Sequence, residues 1–142
     1  MPLWTVYHPV DVWSDADKAA LAEKITDLYA AVMPRFYVGI VFHAIPARNL
    51  YVGGVKNDRY VRFVLEHIAR SFANIEQSHH FIDKINEVLA PFVSDRGYDW
   101  EIHVDETPFD YWSINGHYPP KFGTEDEKAW RAGNRPFART HN

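Results

Sequence analysis

Proline stands at position 2, directly behind the initiator methionine. Initiator methionine is normally removed when a small residue or proline follows it. Removal here would leave a secondary amine at the head of the chain. An ordinary α-amino group titrates near ~8. Apolar surroundings or nearby cations lower that value, so such an amine can be neutral and serve as a general base. Many chains begin Met-Pro without any catalytic use for it, so the pair needs support from elsewhere. Eight histidines form the other reservoir of titratable groups. His79 and His80 are adjacent on an expected helix and point about 100° apart, so they do not share a metal easily. His8 and His43 fall in expected strands, and His67 stands near Arg70 in sequence. Together they lack the spacing of a zinc site. Gly53-Gly54 marks a turn and not a phosphate cradle, because the wider glycine pattern is missing. Tyr111 and Trp112 can line the outer wall of a pocket, or Trp112 can pack the C-terminal segment against a sheet.

These groups need a scaffold. Leu3 to His8 alternates as a strand, and Ser14 or Asp15 caps a helix. Leu21, Ile25, Leu28 and Val32 recur at four, three and four residues, an apolar stripe along one helix face. Pro34 closes that segment. Phe36 to Ile45 is an almost unbroken apolar run, as expected of a central strand, and Pro46 ends it. Tyr51 to Val55 reads as a short strand or a hairpin with a glycine turn. The pattern then restarts: Tyr60 to Ile68 as a strand, Asn74 with Gln77 as a helix-capping pair, and Ile82, Ile85, Val88, Leu89 and Phe92 as a second stripe. Trp100, Ile102 and Val104 alternate with Glu101, His103 and Asp105, which leaves one face of that strand wet. Pro108 ends it.

The halves resemble each other. Lys24 to Ala30 lies over Lys84 to Ala90 at an offset of 60. With two residues inserted, Phe36 to Pro46 lies over Tyr98 to Pro108. The expected fold is therefore α/β (α+β): two β-α-β units forming one four-stranded sheet with both helices on one face. Right-handed crossovers make the strands within each unit parallel. The units span residues 1–58 and 59–108 of one domain, with residues 109–142 as a C-terminal extension. That extension holds a helical turn at Phe109 to Asn115, a short charged helix from Glu125 to Ala132, and a tail from Asn134 to Asn142. It is expected to wrap a neighbour. The uncovered sheet face must also be buried, and self-association is the natural means.

The chain has 142 residues, is 46% hydrophobic and 24% charged, and carries a net charge of −4 with no cysteine. That balance fits a soluble globular protein. The charge favours neither nucleic acid nor an anionic membrane as partner. Disulfides, thiol chemistry and cysteine-based metal sites are excluded. The first residues lack the cationic head and long apolar run of a signal peptide, and no stretch reaches the roughly 18 apolar residues that span a bilayer. A cytoplasmic location follows as the expectation.

Several stretches carry a family resemblance in their order and spacing: Ala22 to Asp27, Phe42-His-Ala-Ile-Pro-Ala47, Tyr51-Val-Gly-Gly54, His67-Ile-Ala-Arg70, Asp99-Trp-Glu101, and Asp105-Glu-Thr-Pro108 with Asn115-Gly116. With Pro2 and the repeated β-α-β plan, the chain resembles the tautomerase superfamily over roughly residues 2 to 120. Within it the chain is similar to the cis-3-chloroacrylic acid dehalogenase group, specifically its fungal-type tautomerase-like members. The resemblance implies a homotrimer, a small carboxylate substrate, no metal and no cofactor. It gives Pro2 the catalytic amine. Arg70 takes the place of the first of two arginines that grip a substrate carboxylate, which a planar guanidinium can hold through two parallel hydrogen bonds. His103 falls where the dehalogenases have a hydrogen-bonding tyrosine, and Tyr29 where they have a histidine. Asn115 could orient a ligand, and His67 and Trp112 complete the substrate-binding set. Arg48 could reach a neighbouring subunit's site.

The departures decide between activities. The second arginine of the dehalogenases has no match, since Ala73 stands three residues after Arg70. Their water-activating glutamate falls near Ile114. Dehalogenation by water addition needs that base and usually both arginines. Keto-enol tautomerisation needs a base, a proton donor and a carboxylate or enolate stabiliser, which Pro2, Tyr29 or His103, and Arg70 supply. The expected activity is therefore an isomerase, a tautomerase of a small 2-oxo acid or its enol, such as phenylpyruvate. The rivals are a dehalogenase, hydratase or decarboxylase on the same fold, a non-enzymatic binding module, and a ferredoxin-like dimeric barrel with different strand pairing.

Overall fold

A computed structural model, described for residues 1–138, opens with strand β1 (Pro2–Pro9), whose alternate side chains Trp4 and Val6 are fully buried. Helix α1 (Asp15–Ala30) begins in a reciprocal cap: the Asp17 amide donates to the Ser14 hydroxyl at 3.1 Å and the Ser14 amide to the Asp17 carboxylate at 3.0 Å. Arg96 donates to the same carboxylate at 2.9 Å, which ties the helix start to a distant loop and holds Asp17 well below the usual carboxylate range. Strand β2 (Gly39–Ile45) follows a 3₁₀ turn at Arg35–Tyr37. A two-residue hairpin joins β3 (Tyr51–Val52) to β4 (Val55–Lys56). Its Gly53-Gly54 turn has positive φ at both residues, which suits glycine. Then come β5 (Tyr60–Ile68), α2 (Ile75–Leu89), β6 (Asp99–Thr107) and, in the extension, α3 (Glu125–Gly133).

The main sheet has the order β2-β1-β5-β6. β1 pairs parallel with β2, β5 pairs parallel with β6, and the two units meet where β1 and β5 run antiparallel, Trp4 opposite Leu65 and Val6 opposite Phe63. One sheet face carries the core. Leu21, Ile25 and Tyr29 of α1 and Ile85 and Leu89 of α2 pack on Trp4, Val6, Val61, Phe63 and Leu65. Each such aliphatic side chain contributes roughly 1.5–3 kcal/mol by leaving water. The Trp13 indole donates to the Phe92 carbonyl at 3.0 Å, so its burial leaves no orphaned N–H. The other face is open. It presents Tyr7 stacked on His43 with ring centroids 5.1 Å apart, Val41 at 45% exposure, and an Arg62–Glu101 ion pair at 2.9 Å.

Four readings of the sequence change. The Phe36–Ile45 run is not a central strand. Its first residues form the 3₁₀ turn, and β2 lies at the sheet edge. Its apolar character has a second cause, because Phe36 and Tyr37 face the extension. On α1, Tyr29 and not Val32 continues the buried row, and Val32 lies past the helix end at 42% exposure. The extension folds back on its own chain. Trp130, 1% exposed, packs on Phe36 and Tyr37, and Trp112 sets its edge against Tyr37 with centroids 4.9 Å apart. Polar ties reinforce this: the Phe36 amide donates to Asn134 Oδ1 at 3.0 Å, and Arg131 donates to the Ala31 carbonyl at 3.3 Å. The helical turn expected up to Asn115 covers only Phe109–Tyr111. The tail expected from Asn134 to Asn142 falls outside the described residues beyond position 138. Among the described residues no helix is long and apolar enough to cross a membrane.

Candidate functional site

Pro2 sits at the first position of β1, opposite His67 near the end of β5. Met1 continues that ladder: its amine donates to the Ile68 carbonyl, and its own carbonyl accepts from the Ile68 amide at 2.8 Å. Burial, with Arg70 nearby as the second cause, lowers the terminal amine from its ordinary 8.0 to about 5. The same two influences, burial and a nearby cation, disfavour the charged form of the Met1 amine.

Behind Pro2 lies a buried polar chain. The Trp4 indole N–H donates to the Tyr29 hydroxyl oxygen at 3.3 Å, and that oxygen lies 3.2 Å from His67 Nε2. Tyr29 reaches this point because it occupies the last turn of α1 on the face that meets the sheet. Burial pushes its phenol above the ordinary value, so it keeps its proton. His67 is 7% exposed. Burial first, then the terminal amine and Arg70, lower it to about 4, while Glu106 pulls the other way. A neutral His67 can serve in either of two tautomers. With the proton on Nε2, the Tyr29 oxygen accepts from both Trp4 and His67, and its own O–H is free to donate into the adjoining space.

Arg70 follows a sharp bend. Ala69 has φ of +69°, a left-handed conformation costly for a residue with a Cβ, and its amide donates to the Thr107 carbonyl at 2.9 Å. The bend turns the chain off the end of β5. Arg70 then donates from Nη2 to the Val32 carbonyl at 3.1 Å and lies over the Phe122 ring at 4.7 Å. One hydrogen bond and one stacking contact leave most guanidinium donors available.

These residues enclose a cavity of about 430 Å³, lined by Pro2, Tyr29, His67 and Arg70 together with Phe72, Phe81, His80 and Lys84. That volume lies within the range of small-molecule sites. The ionisable side chains on its wall are basic or neutral, so an anion is the ligand it suits. A second cavity of about 360 Å³ adjoins it, walled mostly by the extension, Trp112 included.

Not every expected residue lies there. His103 is on β6 with Glu101 and Asp105, on the open sheet face, 3.4 Å from the Asp105 carboxylate. It and Pro2 are on opposite faces because β5 pairs Val64 with His103 while His67 pairs with Glu106. Asn115 lines neither cavity. With Gly116 it forms a tight turn, both at positive φ, closed by the Ile114–His117 bridge. Arg48 lies in the 3₁₀ turn Ala47–Asn49, away from both cavities.

Sequence reasoning missed other members. Glu106 accepts from the Phe72 amide at 2.9 Å and so ties down the loop that carries Arg70. Its signal was available, since it continues the inward row Trp100, Ile102, Val104. Phe72, Phe81 and Lys84 had none, because only the packing of α2 against the loop brings them to Pro2. Among the described residues no group of three or more His, Asp or Glu is placed to hold a metal ion.

The model of the Tautomerase_3 family, "Putative oxalocrotonate tautomerase enzyme", matches residues 1–135. Native RhCC from Rhodococcus jostii RHA1 shares the fold at TM-score 0.93, with 41% identity over 96% of this chain and 99% of that one. A protein of the thermophilic fungus Aspergillus fumigatus, described as a probable enzyme, does so at TM-score 0.93, with 36% identity over 98% of each chain. N1, a member of the cis-3-chloroacrylic acid dehalogenase family, shares the fold at TM-score 0.74, with 21% identity over 93% of this chain and 97% of that one. No curated protein matches the chain in sequence.

Proposed function

The chain belongs to the Tautomerase_3 family, and from that premise we propose that it is a cofactor-independent keto-enol tautomerase of small 2-oxo acids, with Pro2 as its N-terminal amine once Met1 is removed. The observation that carries this reading is the gathering of Pro2, Tyr29, His67 and Arg70 on one basic cavity. In the reaction, Arg70 binds the carboxylate of the enol through paired N–H donors. The neutral Pro2 amine takes the proton of the 2-hydroxyl, the C2–O bond becomes a carbonyl, and the C2=C3 electron pair takes a proton back from Pro2 at C3. Tyr29, kept protonated by its burial, donates to the oxygen as negative charge develops there. His67 and Trp4 fix the hydroxyl that does so. Addition of water to a haloacrylate would need a carboxylate base and a second arginine, and Ile114 and Ala73 stand at the corresponding positions.

The open sheet face, with Tyr7 and Val41 exposed, supports self-association. We place the chain in a cytoplasmic homotrimer in which those faces meet. The test is intact mass together with ketonisation of phenylenolpyruvate, for the wild type and Pro2→Ala. Loss of Met1 and a fall of at least about a hundredfold in kcat/KM are expected for the mutant. Retained Met1, or a mutant as active as wild type, overturns the reading.

A further inference from the structure

Met1, Met33, Ile68 and Arg70 line both cavities, so these four residues are the partition between them. Met1 is the one member that processing removes. From this we infer that the processed chain has one continuous site, in which the extension-walled cavity is a specificity subsite for a bulky aryl group on the substrate. The inference rests on the tautomerase reading for the identity of the reacting head group, and names the class of tail.

Three observations converge on an aryl group. First, the wall of the second cavity is aromatic: Tyr37, Phe109, Trp112 and Phe122. Tyr37 and Trp112 already meet edge to face at 4.9 Å, as do Phe109 and Trp112 at 6.3 Å, so a further ring would join an existing aromatic array. Second, Arg70 belongs to both spaces and is held over Phe122 at 4.7 Å. A carboxylate bound to it therefore lies at the junction, with its tail directed to one side or the other. Third, the two spaces differ in charge. The wall of the Pro2 cavity carries Lys84 and His80 and no carboxylate, with Glu106 standing behind His67, whereas the wall of the extension cavity is mixed, with Asp110 and the buried Glu127 beside Lys121. The first wall is the more cationic of the two, so the acid head turns to Pro2 and a neutral tail to the extension.

The test reads binding and not turnover, so it is independent of whether Pro2 is the catalyst. Processed protein is titrated calorimetrically with 3-phenylpropionate and with propionate. Burial of the phenyl group predicts a preference of roughly ten- to a hundredfold for the aryl acid. Trp112→Ala removes an inner wall. Phe122→Ala changes an exposed residue that the fold does not depend on. Each is expected to cut the ratio of the two affinities at least about fivefold. Chain that keeps Met1, made with methionine aminopeptidase inhibited in the host, retains the partition and is expected to show less than half the preference. Equal affinities for the two acids in processed protein, a ratio that survives both substitutions, or the same ratio with Met1 retained would overturn the subsite.

Discussion

Tyr29→Phe removes one oxygen and nothing else from the centre of the site. Two buried groups lose their partner: the Trp4 indole N–H at 3.3 Å and His67 Nε2 at 3.2 Å. Trp4 is fully buried and His67 nearly so, so water does not readily replace the hydroxyl. An unsatisfied buried polar group costs about 1–3 kcal/mol. The Trp4 bond is long, and the phenylalanine ring keeps the packing, so the lower half of that range is expected for the pair. For a chain of this size each kcal/mol lowers Tm by about 3–4 °C, which gives a fall of roughly 3–8 °C. Catalysis is more sensitive. Loss of one oriented donor to a developing oxyanion costs on the order of a hundredfold or more in kcat, and KM should change little because Arg70 still holds the carboxylate. Calorimetric melting and phenylenolpyruvate kinetics read the two effects separately. A double-mutant cycle with Trp4→Phe isolates the hydrogen bond, with a coupling of about 0.5–1 kcal/mol expected. A Tyr29→Phe chain that melts and turns over like wild type would refute both the network and the donor role.

His67 sits at about 4 in the folded chain against 6.5 unfolded, so the unfolded state binds its proton first as pH falls. Stability owed to this group is unchanged above pH 6.5 and declines from there to about pH 4, by up to ~3 kcal/mol less what solvent screening removes. His8 is lowered in the same direction and adds to the slope. His67→Asn should flatten part of that decline in urea melts taken between pH 7 and 4, and an unaltered slope would show that His67 is not held neutral. Trp130→Ala, at a position 1% exposed, should cost about 3–5 kcal/mol if the extension belongs to its own chain's core, and a melting point within 2 °C of wild type would say otherwise. Ala69→Val forces a β-branched residue to φ of +69° and should lose more than about 1 kcal/mol, together with carboxylate affinity, while Ala69→Gly should keep both. Equal melting of the two variants would remove the claim that this bend aims Arg70.

The repeated units were legible because their signals are local. Ser14 caps α1 and Asn74 accepts from the Gln77 amide, as side-chain chemistry predicts. Tyr60–Ile68 alternates strictly and is bounded as read. What failed depends on partners distant in sequence. The inner row of α1 was phased on Leu28 and Val32, although Leu21 and Ile25 extend as well to Tyr29; only the sheet beneath selects the row. The edge placement of β2 follows from pairing order, which periodicity does not encode. His103 and Glu106 differ by three residues, and so by one face of a strand, and assignment by resemblance overlooked that parity. Asn115-Gly116 carried its own turn signal, which the resemblance masked. The aromatic extension read as a wrapping arm because its contacts, Trp130 with Phe36 and Tyr37, span more than ninety positions.

The half-turn that relates the units at the β1–β5 seam also settles how many working ends a chain can have. Laying Trp4 and Val6 over Phe63 and Leu65, a shift of 59, lays His8 over His67. The helices, aligned at 60, set Tyr29 against Leu89. Accordingly His67 has a hydroxyl beside Nε2, whereas His8, equally deep, has none: its Nε2 meets no partner among the described residues and its Nδ1 turns to the Pro9 carbonyl at 2.8 Å. The first strand starts at a terminus, but its counterpart starts at Tyr60 in mid-chain, where the nitrogen is an amide that no processing can free. Joining two like units in one polypeptide thus halves the number of possible amines. One end of the sheet opens on the cavity beside Pro2, and the other is sealed with histidine, tryptophan and phenylalanine.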